Sequence, residues 1–318
     1  MNNVLLLGGT GFVGRHVCEK LARLQCRVTV ATRRRERANH LLMLPLVNVV
    51  EVNVHDAAAL TALVAGHDAV VNLMAILHGT EAAFEKAHVQ LPLAIAKACE
   101  AAGTRRLVHV SALGASASSA SMYQRSKARG EAILKEAGLD VTVLRPSVIF
   151  GAEDKFLNTF ASLQQIFPVV PLASAGARFQ PVWVEDVAGA VVSCLQDADT
   201  IGQTFEVCGP DVYTLKQLVE LAGQYAGING GKGRPVLPLP DALARIQARL
   251  MELAPGDPLM SRDNLDAMQT DNVASNQLPG LQALGIVPSS LEAIGPSYLG
   301  DQGLRSGLMA KRKTAGRF

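Results

Sequence analysis

Apolar positions in the first half of the chain alternate between two patterns. Short continuous runs, NVLLLG (3–8), RVTVAT (27–32), VNVVEVNV (47–54), DAVVNLM (68–74), RLVHVSA (106–112) and DVTVLRPS (140–147), have the length and content of buried strands. Between them lie longer segments with helical spacing: GRHVCEKLARL (14–24), DAAALTALVA (56–65), AHVQLPLAIAKACEAAG (87–103) and SKARGEAILKEAG (126–138). Each ends at or near a glycine or polar break, where a helix C-cap belongs. Strands apolar throughout, separated by helices, predict an α/β fold: a doubly wound parallel sheet of the Rossmann type.

After Phe150 and Gly151 the pattern loosens. Proline-rich stretches appear, FPVVP and RPVLPLPDALARIQARL, and GDPLMSRDNLDAMQTDNVAS (256–275) has no strong period. The expected organisation is a nucleotide-binding domain over 1–150 and a smaller substrate or partner lobe over 151–318. Segments within about 179–210, such as QTFEVCG (203–209), are expected to rejoin the core. Leu243, Ile246, Leu250 and Leu253 share one helical face and are expected to pack inward. The alternative is a lid over a lipid-like substrate, or a patch facing a membrane or partner.

The 318 residues are 49% hydrophobic with a mean hydropathy of +0.21, which suits a sheet covered on both faces. No run reaches the roughly 18 apolar residues of a membrane helix, and no signal-peptide pattern opens the chain. A cytoplasmic location is expected, with peripheral attachment to the inner face of the membrane as its variant. Five scattered cysteines without a C-x-x-C speak against a disulfide framework or zinc site. A net charge of +2 gives no electrostatic case for nucleic acid. Seven histidines match no metal motif, so no metal is expected; His78 and His88 read as ordinary polar positions. Two basic clusters stand out, RRRER (33–37) and KRKTAGR (311–317), the second read as a solvated tail.

Gly8, Gly11 and Gly14 form G-x-x-G-x-x-G between the first strand and the first helix. That context suits a pyrophosphate held at a helix N-terminus; the alternative is a structural turn. The second strand runs into Thr32, Arg33 and Arg34, without the acidic residue that usually holds an NAD ribose. Guanidinium groups there favour a 2′-phosphate, hence NADP(H) over NAD(H); the alternative is a basic, solvated helix start. Tyr123 and Lys127 are i, i+4 and share one helical face. An ammonium beside a phenol lowers its pKa, so Tyr123 can serve as acid/base while hydride moves. The alternative for Lys127 is a surface ion pair with Glu131.

The glycine loop, the strand ending in Arg33, NLMA (72–75), HVSALGA (109–115), YQRSK (123–127), LRPSVIFG (144–151) and FQPVWVEDVAGAV (179–191) occur in that order. Together they resemble the extended branch of the short-chain dehydrogenase/reductase superfamily. GDPLMSRDNLDAMQTDN (256–272) is similar to an atypical group within it, which includes the dehydrogenase-like accessory subunit 9 of the complex I alpha subcomplex. The superfamily resemblance covers about residues 1–225, and the group resemblance extends it towards 300.

The resemblance implies that Gly8, Thr10, Gly11, Phe12, Val13 and Gly14 wrap the pyrophosphate and Arg33 meets the 2′-phosphate. Asn53 and Val54 would face adenine, with Asn where the family often has Asp. Leu73, Met74 and Ala75 would line the cofactor's middle, Lys127 would reach the nicotinamide ribose, and Pro146 and Val148 would border the nicotinamide. For the third catalytic position the chain offers Ser111, or the apolar Ala112 and Leu113; Ser116, Ser118 and Ser119 follow on a loop.

Three functions follow. The leading one is hydride transfer between NADP(H) and a carbonyl or quinone-like apolar substrate, linked to respiratory metabolism. The rival is an accessory or assembly subunit, associated with a respiratory complex or membrane surface, that holds NADPH for stability or redox sensing. The third is a nucleotide-sugar epimerase or dehydratase.

Overall fold

β1 (Asn3–Leu7) is apolar at every position after Asn3 because both of its faces are covered. Val4 and Leu6 enter one cluster with helix α1 (Phe12–Arg23), while Leu5 and Leu7 enter another with α2 (Ala57–Val64) and α4 (Leu91–Ala102); all four are fully buried. Successive side chains on a strand point to opposite faces, so one apolar run feeds two cores. The computed structural model describes residues 1–252 and 260–300.

The further strands of the N-terminal half are β2 (Arg27–Thr32), β3 (Val47–Glu51), β4 (Ala69–Asn72), β5 (Arg106–Val110) and β6 (Asp140–Pro146). Two helical segments lie between β4 and α4: α3 (Glu81–Glu85) and a π-helical turn over Lys86–Gln90. Helix α5 (Met122–Glu136) joins β5 to β6. Past β6 come β7 (Ile149–Phe150), α6 (Leu157–Ile166), β8 (Val170–Leu172), β9 (Arg178–Phe179), β10 (Val182–Trp183), α7 (Val184–Gln196) and β11 (Thr204–Val207). They are followed by β12 (Tyr213–Thr214), α8 (Leu215–Tyr225), β13 (Val236–Pro238), α9 (Asp241–Glu252) and α10 (Arg262–Ala267).

The main sheet is parallel, in the order β11-β6-β5-β4-β1-β2-β3. Its strand order reverses between β1 and β4, the position at which doubly wound sheets open a crevice for ligands. The expected Rossmann-type parallel sheet is therefore present. β11 pairs with β6, and α7 packs against α1, so chain from beyond residue 180 completes the main sheet and its helical cover. Buried Arg106 ties this return in place by donating to the carbonyl of Cys194, to Thr142 Oγ1 at 2.8 Å and to Thr200 Oγ1 at 3.0 Å.

The smaller lobe has its own apolar cluster, built from Leu157, Val170, Leu215, Leu218, Leu291 and their neighbours. The inward packing expected of the α9 face is not found. Leu243, Ile246 and Leu250 are 52, 57 and 64% exposed, whereas Ala244 and Ala248 are buried against Ala173 and Leu265. The small alanines bring the helix close to its neighbours and turn the large side chains outward. Leu253 and the basic tail at 311–317 lie outside the described residues. Among the described residues no helix is long and apolar enough to cross a membrane.

Candidate nucleotide and catalytic site

The glycine loop opens at the strand-order reversal. Gly8 has φ +88° and lies against the Leu73 backbone, 3.1 Å from where a Cβ would stand. A Cβ on Gly14 would sit 2.5 Å from the Gly8 carbonyl oxygen and from Gly9 Cα, so only glycine lets α1 start this close to the turn. Gly9, not singled out from the sequence, is equally constrained, since its Cβ would meet Val30 at 2.8 Å; the Gly-Gly doublet was the available signal. Gly11 differs: a Cβ there would touch only the Gly8 carbonyl, at 3.3 Å. Its outer side is open.

Gly11 is also the N-cap of α1, and no side chain caps it or places a carboxylate in its first turn. By contrast Asp56 caps α2 and Ser121 caps α5. The N–H groups of Phe12, Val13 and Gly14 therefore start α1 with no side-chain acceptor, a donor set that fits a pyrophosphate. Residues 73–75 run alongside, with Leu73 and Met74 half-buried and Ala75 exposed.

Arg33 and Arg34 leave the end of β2 exposed and form no ion pair among the described residues. Thr32 shapes the turn, its Oγ1 donating to the Arg34 carbonyl at 3.0 Å and accepting the Arg34 N–H at 3.3 Å. His55 is held below its ordinary pKa, first by burial and then by the positive charge of Lys86 and Arg33. Lys86 comes from the π-helical turn and had no signal in the sequence. Asn53 is exposed and its Oδ1 accepts the His55 N–H at 3.1 Å, while Val54 is buried beneath it. Free cations at this mouth, with no carboxylate ending β2, fit a 2′-phosphate.

Tyr123 and Lys127 lie one turn apart near the start of α5. The Tyr123 ring is half-buried, edge-on to His88 at 5.5 Å and to Phe84 at 6.1 Å. Lys127 is 1% exposed, and its Nζ donates to the Val110 carbonyl at the end of β5, at 2.9 Å. The solvated pair of Lys127 with Glu131 is not formed; buried Glu131 instead accepts from Arg145 at 2.6 Å. Burial pushes Lys127 down to about 8 and Tyr123 up to about 12. The upward shift of the phenol is caused by burial.

Ser111 is buried and its Oγ has no partner among the described residues. Ala112 and Leu113 beside it are buried and apolar. Ser119 donates to Gln124 Oε1, and Ser116 and Ser118 bond each other at 3.1 Å. Among the described residues, no hydrogen bond joins these hydroxyls to the Tyr123 phenol. The end of β6 places Pro146, buried, and Val148, half-buried, on the same rim of the sheet.

His88 is more than the ordinary polar position expected. Its Nε2 accepts the Ile76 N–H at 3.1 Å and its Nδ1 meets Ser126 Oγ at 2.8 Å, linking the 73–76 segment to α5. The close approach needs Gly130, where a Cβ would fall 2.1 Å from the His88 carbonyl oxygen. Burial drives His88 down to about 3, so it is neutral. The carboxylates of Glu19 and Glu185 beside His16 are already engaged by Arg15 at 3.1 Å and Lys20 at 2.8 Å, an ion-pair cluster joining α1 to α7. All five cysteines are buried, and burial lifts Cys18, Cys99, Cys194 and Cys208 to about 12, closing them to thiolate chemistry.

Residues 4–208 match the NAD dependent epimerase/dehydratase family. The chain is 35% identical over 296 residues to NADH dehydrogenase [ubiquinone] 1 alpha subcomplex subunit 9, mitochondrial, of Mus musculus, covering 90% of this chain and 77% of that protein. It is 31% identical over 192 residues to the ceramide reductase of Caulobacter vibrioides, 60% of each chain. Among solved structures, the NADPH-dependent quinone oxidoreductase QOR2 of Escherichia coli, complexed with NADPH, superposes with a TM-score of 0.73 at 20% identity, over 92% of this chain and 98% of that one. The chain belongs to the NAD dependent epimerase/dehydratase family, as an extended short-chain dehydrogenase-like protein related to subunit 9 of the complex I alpha subcomplex.

Proposed function

We propose that this protein binds NADP(H) in the crevice above β1 and β4 and is an oxidoreductase for an apolar carbonyl or quinone-like substrate, associated with a respiratory complex at the inner face of the membrane. The observation that carries the reading is the start of α1 at Gly11, without a side-chain cap, together with an exposed Arg33 that forms no ion pair among the described residues. A pyrophosphate and a 2′-phosphate are the anions this pair of features accepts. Support for the respiratory link comes from relatives named as complex I subunits. Neighbours of the same fold have been solved with NADPH and with NAD, which leaves the choice of nucleotide to Arg33.

In this reading Gly8, Thr10, Gly11, Phe12, Val13 and Gly14 hold the pyrophosphate. Arg33, with Arg34 at its side, holds the 2′-phosphate, and Asn53 and Val54 face the adenine. Leu73, Met74 and Ala75 line the middle of the cofactor, and Pro146 and Val148 border the nicotinamide. Bound NADPH supplies the hydride. Lys127 reaches the ribose hydroxyls, and Tyr123 gives its proton to the substrate oxygen, a role that a phenol still protonated at neutral pH can fill.

A second reading, in which the nucleotide is held without turnover in an accessory subunit, is favoured by the Ser111 hydroxyl, which is buried rather than joined to Tyr123. The nucleotide-sugar alternative rests on fold likeness alone. Titration with NADPH and NADH, then oxidation assays with quinones and simple carbonyls on wild type and Tyr123→Phe, separate these functions. Turnover abolished by the substitution supports the oxidoreductase; tight NADPH binding without turnover in either protein supports the accessory role.

A further inference from the structure

The segment over 261–275 of the smaller lobe reaches back across the sheet and grips two places that border the site. Asp263, 7% exposed on α10, accepts the Ser121 hydroxyl at 2.9 Å and the backbone N–H groups of Met122 and Tyr123 at 2.5 and 3.2 Å. These are the first donors of the helix that carries Tyr123 and Lys127. α5 already has a local cap, since Ser121 Oγ accepts the Gln124 N–H. The imported carboxylate adds a tie across 140 residues of sequence.

Nine residues on, Asn272 takes the other hold. Its Oδ1 accepts the Ser147 hydroxyl at 2.6 Å and the Val148 N–H at 3.3 Å, and its Nδ2 donates to the Leu113 carbonyl at 3.4 Å. Its own backbone is fixed to the Arg178 carbonyl and the Gln180 N–H, at 2.8 and 3.0 Å. One asparagine therefore joins the chain leaving β5 to the chain leaving β6. Both lie at the C-terminal ends of parallel strands, where ligands of this architecture bind.

We infer that Asp263 and Asn272 are positioning residues that let the smaller lobe set the nicotinamide half of the nucleotide site. The inference rests on the NADP(H) reading above. Among the described residues no hydrogen bond or ion pair joins either residue to the adenosine half, built from the glycine loop and Arg33. The two halves therefore separate: altering the strap weakens a ligand that spans both and spares one confined to the adenosine end.

The test is calorimetric titration of the full-length protein with NADPH and with 2′,5′-ADP, which carries the 2′-phosphate but no nicotinamide. Asn272→Ala, which loses three side-chain hydrogen bonds, is expected to raise the NADPH Kd at least about tenfold and to leave that of 2′,5′-ADP within about twofold. Asn272→Asp keeps the acceptor for Ser147 and Val148 but loses the donor to Leu113, and is expected to recover only part of the NADPH affinity lost in Asn272→Ala. Asp263→Asn retains the Ser121 cap and is expected to show the same split, which guards against a misfolded Asn272→Ala. Equal loss of both ligands, or undiminished NADPH binding in both variants, overturns the inference alone. A wild type that binds neither ligand overturns the nucleotide reading and this inference with it.

Discussion

The Lys127 ammonium is joined to the Val110 carbonyl at 2.9 Å, deep beneath the end of β5, and that one acceptor serves a group with three donors. Burial lowers its pKa to about 8, whereas the unfolded chain keeps the proton until about 10.5. The unfolded state therefore binds more protons between those values, and stability rises with pH across that window. At pH 7 the buried charge is a net cost. Lys127→Met is expected to stabilise the fold at pH 7 by on the order of 1–3 kcal/mol, with the gain shrinking towards pH 10. Urea midpoints at the two pH values check this; a lower midpoint at pH 7 contradicts it.

Gly11 and Gly14 separate binding from folding. Gly14→Ala places a methyl on backbone atoms 2.5 Å away and is expected to destabilise by about 3 kcal/mol. Gly11 has φ −82° and a single Cβ neighbour, the Gly8 carbonyl at 3.3 Å, so Gly11→Ala should cost only about 1 kcal/mol, the worth of a poorer N-cap. On the proposed reading, in which the first N–H groups of α1 hold a pyrophosphate, that methyl crowds the phosphate, and NADPH binding should weaken at least about tenfold. Thermal melts and NADPH titration on both variants distinguish the two effects.

Arg33 follows the end of β2, exposed and without an ion pair among the described residues, and Lys86 acts with it on His55. Arg33→Ala is expected to weaken NADPH by roughly 10- to 100-fold, the worth of a charge-assisted contact, and to leave NADH nearly unchanged. Lys86→Ala should act in the same direction by less. Parallel titrations at low and high salt measure both, and loss of NADH binding with Arg33→Ala would count against a 2′-phosphate role.

His88 is neutral in the fold, at about 3, but takes a proton near 6.5 when unfolded. Its folded-state pKa is depressed, so its contribution to stability is complete above about 6.5 and is lost as pH falls towards 3. His109, buried and lowered in the same direction, adds to this acid loss. His88→Gln can keep both hydrogen bonds, accepting from Ile76 and donating to Ser126, without titrating. It should leave the urea midpoint at pH 7.5 nearly unchanged and flatten the loss between pH 6.5 and 4 by up to about 1.4 kcal/mol per pH unit.

The strands of the first half were legible because each is a short run dominated by apolar and β-branched residues, and the glycine loop because its spacing falls between a strand and a helix. The α9 face shows where periodicity stops. Leu243, Ile246 and Leu250 form a stripe, but spacing cannot tell which side of a helix the protein occupies, and here the alanines face inward. The pair Tyr123 and Lys127 was legible from i, i+4 spacing, yet not the direction of the phenol's shift, which burial sets.

By itself, the sequence determined the order of strands and helices, the glycines that only a bare backbone can replace, and an arginine where a carboxylate usually stands. These are local properties, carried by residues within a few positions of one another. Tertiary structure alone decided that the returning segment QTFEVCG lies beside β6, that Lys127 bonds Val110 in a desolvated site, and that Asp263 and Asn272 close on elements more than 100 residues away. Those depend on which surfaces meet and exclude water, and no stretch of chain records that on its own.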